Sequence, residues 1–313
     1  MSDSRAATHP RSLPAGFPPR PVFVYSSEYN MDLGPHVFPA VKYGYIYLRL
    51  VDDPRFRKHR FVEPVSLTMD EVALVHERKY LDDLTGLKRT QRTDRSELPL
   101  TREIIDSFLI SSGGTLSAAR EALKNGAAIN LGGGFHHAFA GHAEGFCYLN
   151  DVAIAVRTLQ KEKLIRRALI VDLDLHQGNG TALAFQNDAN VFTFSMHEEN
   201  NYPIKEQSDM DIGLETGCRD EDYLTLLSRA LETVKMKFKP DIIFYLAGVD
   251  VYEKDLLGGV KLSMNGIAER DRMVRDYLPE VPLVTVLAGG YAQDTDDTVT
   301  LHLQTCEILA EFS

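Results

Sequence analysis

The segment Asp172-Leu173-Asp174-Leu175-His176 sets two carboxylates and an imidazole at alternate positions. In an extended chain alternate residues share a face, so these three would point one way and the two leucines the other. Burying such a group bare would cost several kcal/mol per charge. A divalent cation resolves the conflict. Carboxylate and imidazole ligands without a thiolate suit zinc at a catalytic site, with Fe(II) or Mn(II) as alternatives. A catalytic ion takes a third protein ligand and leaves a position open for water. Asp250, which follows the apolar run Ile242–Leu246, is the candidate. Taken alone, the same five residues also read as a solvated turn.

Other polar residues argue against the turn. His136-His137 follows Gly132-Gly133-Gly134, and three glycines permit the close backbone approach of a packed loop. Neighbouring residues of an extended segment point apart, so the two rings would do different work. One would serve as a general base toward a metal-bound water, a task suited to a group that titrates near neutrality. Tyr291 follows Gly289-Gly290, and its phenol could donate to a developing oxyanion opposite the metal.

These residues need a scaffold that brings them to one edge. The runs Val22–Tyr25, Ala127–Leu131, Ala168–Val171, Val191–Phe194, Ile242–Leu246 and Val284–Leu287 are apolar almost throughout, as strands buried on both faces are. Helical patterns alternate with them over Ile104–Leu123, Val152–Leu159, Tyr223–Phe238, Ile267–Tyr277 and Val299–Leu309. The first of these stops at Asn125-Gly126. The alternation predicts an α/β fold, a single-domain, mostly parallel β-sheet flanked by helices on both faces. In such sheets ligands bind beyond the carboxyl ends of the strands. His136, Asp172, Ser195, Asp250 and Tyr291 all follow strand candidates in this way. Residues 1–20, rich in Pro, Arg and Ser, read as a disordered leader, and 21–313 as one catalytic domain. The polar stretch Lys88–Leu98 reads as an exposed loop.

Composition excludes several classes. No apolar run reaches the roughly 18 residues that span a bilayer, and the first residues lack a secretory h-region. The three cysteines, Cys147, Cys218 and Cys306, are widely spaced, which fits a reducing cytoplasm rather than a disulfide framework. A formal net charge of −11 disfavours nucleic acid as a partner.

The run Gly132-Gly133-Gly134-Phe135-His136-His137, then Gly145-Phe146-Cys147-Tyr148-Leu149-Asn150-Asp151, then Asp172 to Gly180, with Asp250 and Gly289-Gly290-Tyr291 in order, closely resembles the zinc-dependent histone deacetylase family. The wording is most like the class IV branch and its bacterial relatives. The resemblance implies an arginase/deacetylase-like fold and zinc-dependent hydrolysis of N-ε-acyl-lysine amides by metal-activated water. It implies Asp174, His176 and Asp250 as metal ligands, with His137 as general base and acid. His136 becomes the paired electrostatic histidine, oriented by Asp172, and Tyr291 the residue that polarises the carbonyl. Gly145, Phe146 and Tyr202 match the wall of an acyl-lysine tunnel, and Leu257 its rim. A structural potassium ion (K+) would be held by backbone oxygens of Asp172, Asp174 and His176 together with Ser195 and Met196.

The chain departs from class I members at three places. Asn179 stands where they have an aspartate behind the second histidine, and a neutral partner should leave His137 less basic. Lys42 falls near the position of an internal-cavity arginine and lacks its bidentate fork. The rim aspartate that grips a substrate backbone has only Asp94, within Lys88–Leu98, as a candidate. The substrate implied is an acylated lysine of a peptide or protein. Small acylated amines such as acetylpolyamines, and long-chain fatty-acyl lysines, are the rivals. A non-catalytic acyl-lysine reader would lack a ligand or the tyrosine, and a binuclear manganese ureohydrolase would need further carboxylates.

Overall fold

The computed structural model describes residues 20–311, so the expected leader, Arg20 excepted, lies outside the described residues. Eight strands form one sheet in the order β2-β1-β3-β8-β7-β4-β5-β6, with every neighbouring pair parallel. In chain order they are β1 Val22–Val24, β2 Phe61–Val62, β3 Ala127–Asn130, β4 Ala168–Asp172, β5 Val191–Glu198, β6 Met210–Leu214, β7 Ile242–Leu246 and β8 Leu283–Val286. The six apolar runs supply six of these strands. The sheet is entirely parallel rather than mostly so.

The central strands β3, β4, β7 and β8 are buried along their whole length. That is why they read as continuous apolar runs: helices cover both faces of the sheet. One group comprises the helices Arg102–Asn125 and Asp151–Lys161, which pack on each other, the first also on β1, β3 and β8. The other runs Lys42–Asp52, Thr295–Ala310, Met264–Arg275 and Asp220–Lys237, each against the next. The Arg102–Asn125 helix begins on the Thr101 side chain, which accepts from Ile104 N–H, and stops at Gly126 with φ of 89°. A left-handed glycine is the ordinary terminator of a helix. No helix among the described residues is long and apolar enough to cross a membrane.

Two expectations change. Lys88–Leu98 is not a plain exposed loop. It forms a helical turn over Gln91–Asp94, and Thr93, Ser96 and Leu98 are buried. The backbone oxygens of Arg92 and Ser96 accept from Ala143 and Phe146 N–H, both at 2.9 Å, which fastens the segment to the loop after the histidines. Secondly, β4 stops at Asp172, and the chain bends over residues 174–176 instead of staying extended.

The Gly132–Gly134 loop is tightly packed at the sheet edge. Gly134 has φ of +84°, and a Cβ there would stand 2.5 Å from Ala288 Cβ. The Asp151 carboxylate accepts from Gly134 N–H at 2.9 Å and Phe135 N–H at 2.8 Å, and Thr115 Oγ1 donates to it at 2.6 Å. Gly217 has a similar φ of +88° with no atom within 4 Å of its Cβ position. Gly217→Ala should therefore cost about 1–2 kcal/mol, the strain of the left-handed backbone alone. Gly134→Ala adds a clash in a packed core and should cost ~3 kcal/mol or more. Chemical denaturation of the two variants checks the gap, and equal losses would refute the tight packing at Ala288.

Candidate active site

The carboxyl ends of β3, β4, β7 and β8 meet at one point. From β4, Asp172 Oδ1 accepts from Asp174 N–H at 3.2 Å, and Asp174 Oδ1 accepts from His176 N–H at 3.0 Å. These side-chain to backbone bonds shape the bend, as aspartates do in turns. Leu173 and Leu175 point into the core, fully buried. From β7, Asp250 Oδ1 accepts from Leu175 N–H at 2.9 Å. From β8, Gly289 N–H donates to Asp174 Oδ2 at 2.9 Å. A Cβ on Gly289 would lie 2.3 Å from Asp250 Oδ2 and 2.5 Å from Asp174 Oδ2, so only glycine lets the chain pass there.

Asp174, His176 and Asp250 are all buried, and one ligand atom from each lies within 4.8 Å of the others. His176 Nδ1 stands 3.4 Å from Asp174 Oδ1 and 3.3 Å from Asp250 Oδ2. Asp250 Oδ2 is nevertheless buried without a hydrogen-bond donor. A buried carboxylate oxygen left in that state is costly, and a cation would satisfy it. Burial works against charge on His176, but the Asp174 and Asp250 carboxylates hold its pKa up at about 10. Burial and the nearby Asp174 push Asp250 up to about 7, with His176 opposing. The bare cluster thus binds protons that a divalent cation would displace. Two oxygens and one nitrogen fit a catalytic zinc-type site.

The two histidines part company. Their rings lie 4.1 Å apart between centroids. His136 Nδ1 is 2.8 Å from Asp172 Oδ2, so Asp172 serves the histidine and is not part of the Asp174–His176–Asp250 group. Burial opposes its protonation, yet Asp172 and Asp174 together hold its pKa up at about 9. His137 Nδ1 is 2.8 Å from Asn179 Oδ1. Burial, with His136 and His176 nearby, pushes its pKa well below the ordinary imidazole value. One ring is built to carry charge and the other to stay neutral.

A cleft of about 230 Å³ opens above them, lined by Glu97, His137, Gly145, Phe146, His176, Asn201, Tyr202, Leu257 and Tyr291. The Tyr202 ring is 5.3 Å from that of His137. Phe146 takes φ of 64° and sets its ring 6.0 Å from that of Tyr291. Burial, then the Asp174 and Asp250 charges, raise the Tyr291 pKa well above its ordinary value, so the phenol keeps its proton. Below lies a second, small cavity of about 20 Å³ that shares His137, Phe146 and Tyr291.

Ser195 and Met196 are buried on β5, with Ser195 level with Asp172 in the β4–β5 ladder. Ser195 Oγ lies 2.9 Å from His197 Nδ1. Lys42 is fully buried but does not line the small cavity; it stands behind it. Its Nζ donates to Ala288 O at 2.7 Å and lies 3.3 Å from His302 Nε2. Burial lowers its pKa to about 8, although Asp250, Asp174 and Asp255 pull the other way. Asp94 is not at the cleft either: it pairs with Arg89 in solvent, 2.9 Å away, and Glu97 is the acid at the mouth.

Two further carboxylates escaped the sequence reading. Asp255 accepts from Tyr291 N–H at 2.7 Å and from Leu257 N–H at 2.8 Å, so one side chain sets both the cleft tyrosine and the rim. Glu144 accepts from Asn179 Nδ2 at 2.8 Å. Only their order after Asp250 and before Gly145 marked them in the sequence, and neither follows a strand.

Known proteins resemble this chain in sequence and in fold. A family model described as "Histone deacetylase domain" matches residues 36–306. An uncharacterised protein of a Picosynechococcus strain is 40% identical over 92% of this chain and 96% of its own length. Histone deacetylase 2 of Arabidopsis thaliana is 32% identical over 87% of this chain and 75% of its own. The acetoin utilization protein AcuC of Bacillus subtilis is 29% identical, covering 86% and 77%. The crystal structure of a histone deacetylase homologue from Aquifex aeolicus superposes with a TM-score of 0.78 at 24% identity, covering 93% of this chain and 84% of that one, and so shares its fold. With residues 36–306 matched by the family model and its fold shared, the chain belongs to the histone deacetylase family.

Proposed function

We propose that this amidohydrolase removes short acyl groups from the ε-amine of lysine in a peptide or protein, with small acylated cationic amines as the second reading. The observation that carries the reading is the buried Asp174–His176–Asp250 group, with its undonated Asp250 oxygen, beneath a cleft that His137 and Tyr291 share. Asp174, His176 and Asp250 would hold zinc, with Fe(II) as the alternative. Such an ion supplies Lewis acidity and a water of lowered pKa.

The chain's own residues do the rest. His137, neutral and engaged by Asn179 at Nδ1, accepts the proton of the attacking water at Nε2. The Tyr291 hydroxyl donates to the amide oxygen as negative charge grows on it. His136, held charged by Asp172, favours that same charge. His137 then returns its proton to the leaving lysine nitrogen. Gly145, Phe146 and Tyr202 wall the methylene chain, and Leu257 forms the rim. A potassium ion held by backbone oxygens of Asp172, Asp174 and His176, with Ser195 and Met196, would offset the carboxylates from below.

The small lower cavity bears on chain length. Its volume of about 20 Å³ accommodates little more than one water-sized group. That favours acetyl over fatty acyl groups. The Glu97 carboxylate at the mouth favours a substrate with a second positive charge, which keeps acetylpolyamines as the second reading.

Four measurements test these statements. Tyr291→Phe should lower kcat on an acetyl-lysine peptide by about 100-fold with the melting temperature unchanged; full activity would remove the tyrosine from the reaction. Asp250→Asn, analysed for bound metal, should lose more affinity than the roughly 10- to 100-fold that an outer-shell change produces, and undiminished metal would strike Asp250 from the ligand set. Across acetyl-, butyryl- and myristoyl-lysine peptides and acetylspermidine, rates should fall with acyl length. Glu97→Gln should raise KM for the polyamine by roughly 3- to 10-fold, and a preference for myristoyl would overturn the short-chain reading.

A further inference from the structure

The partner of His137 is an amide, and an amide can face its neighbour with either end. Asn179 Oδ1 lies 2.8 Å from His137 Nδ1 and accepts from Gly180 N–H at 3.0 Å. Asn179 Nδ2 donates to Glu144 Oε1 at 2.8 Å and lies 3.4 Å from the Ile204 carbonyl. A backbone N–H can only donate, whereas an ionised carboxylate and a carbonyl can only accept. The neighbours therefore dictate which end of the amide is oxygen. With that oxygen turned to His137, Nδ1 must carry the ring's hydrogen and the lone pair sits on Nε2.

Glu144 is the charged member of this set. It is buried, it does not line the cleft, and its other oxygen is held by Arg95. Its backbone exchanges hydrogen bonds with Cys147, at 3.1 and 2.9 Å, across the turn that presents Phe146. His142 Nε2 also lies 3.4 Å from that second oxygen, which leaves Oε1 to face Asn179.

We propose that Glu144 is a positioning residue that acts through Asn179 to hold His137 in the Nδ1–H tautomer. A reversed amide would present Nδ2 to the ring, demand a lone pair at Nδ1 and put hydrogen on Nε2, where it blocks proton acceptance. The same contact accounts for asparagine at 179. An aspartate there would set a second carboxylate against Glu144, and two buried carboxylates at that range do not both ionise. The inference rests on the reading of His137 as the base.

Glu144→Met removes the acceptor at similar volume. On an acetyl-lysine peptide its kcat should fall about 10-fold or more, with KM within about twofold of the parent's. Nitrogen-15 spectra of histidine-labelled protein, with the His137 signals assigned by their loss in His137→Ala, should show hydrogen on Nδ1 in the parent and a share moved to Nε2 in Glu144→Met. Adding Asn179→Asp to Glu144→Met should recover at least about fivefold in kcat, because a carboxylate can only accept and needs no outside anchor. General damage to the fold would not be repaired that way. Parental kcat in Glu144→Met, an unchanged His137 spectrum, or a double variant no faster than the single would each overturn the proposal. If Glu144→Met does not fold, Glu144→Gln is read by the same spectra, where mixed tautomers are expected and pure Nδ1–H is the contrary result. A parent chain with no activity on any acyl-lysine amide would defeat the functional reading, while the spectra would still decide the tautomer.

Discussion

Asp172, Asp174, Asp250 and Asp255 are all buried at one edge of the sheet, and like charges so placed repel in a medium that screens them poorly. Much of the surrounding structure answers that repulsion. Asp172 is matched by His136, and Asp174 and Asp250 share His176. Leu175, Gly289, Tyr291 and Leu257 turn backbone N–H groups toward the carboxylates. Lys42 adds a buried positive charge behind Ala288. Below the sheet edge, Arg270 is wholly buried, with Nη1 donating to Gly248 O at 2.6 Å while the guanidinium pairs with Asp271. One oxygen, Asp250 Oδ2, is left over, and the cleft opens above the cluster it belongs to.

That arrangement separates charge from neutrality over a few ångströms. Asp172 gives His136 a formal counterion, and Asn179 gives His137 only a dipole. Two adjacent buried residues of one type thereby acquire opposite protonation habits: carboxylates outweigh burial at His136, while at His137 burial and the neighbouring imidazoles prevail. The same logic holds for Tyr291, whose nearest charges are carboxylates, which keep a phenol protonated and able to donate.

How much of this was legible follows from physical pattern. The six strands that appear as apolar runs could be read because burial on both faces leaves little room for polar residues. β2 is only two residues long, and in β6 half-buried Met210 and Ile212 alternate with exposed Asp211 and Gly213, so neither carries such a run. The helix Lys42–Asp52 opens Lys42-Tyr43-Gly44-Tyr45, and aromatic residues and glycine are poor helix formers, so propensity hid it. Asp174, His176 and Asp250 were legible because each follows a buried strand directly. Glu144 and Asp255 were not. Their partners Asn179 and Tyr291 lie 35 and 36 residues away, and their work exists only once loops have met. Arg92 and Arg95 made Lys88–Leu98 look like a solvated loop, yet these charges pair with the buried Asp83 and Glu144.

The strand order has a consequence for how the chain acquires its site. β8, Leu283–Val286, is nearly the last element in sequence but lies between β3 and β7 at the centre of the sheet. Until it docks, the protein holds two half-sheets, β2-β1-β3 and β7-β4-β5-β6, each with an apolar edge bare to water. The His136-His137 loop belongs to one half, and the Asp174–His176–Asp250 group to the other. While β8 is undocked the two halves of the chemistry are therefore unjoined. The open edges of β3 and β7 are then templates for wrong pairing. Activity requires this keystone strand in place, and the edges it covers are those the fold can least leave exposed.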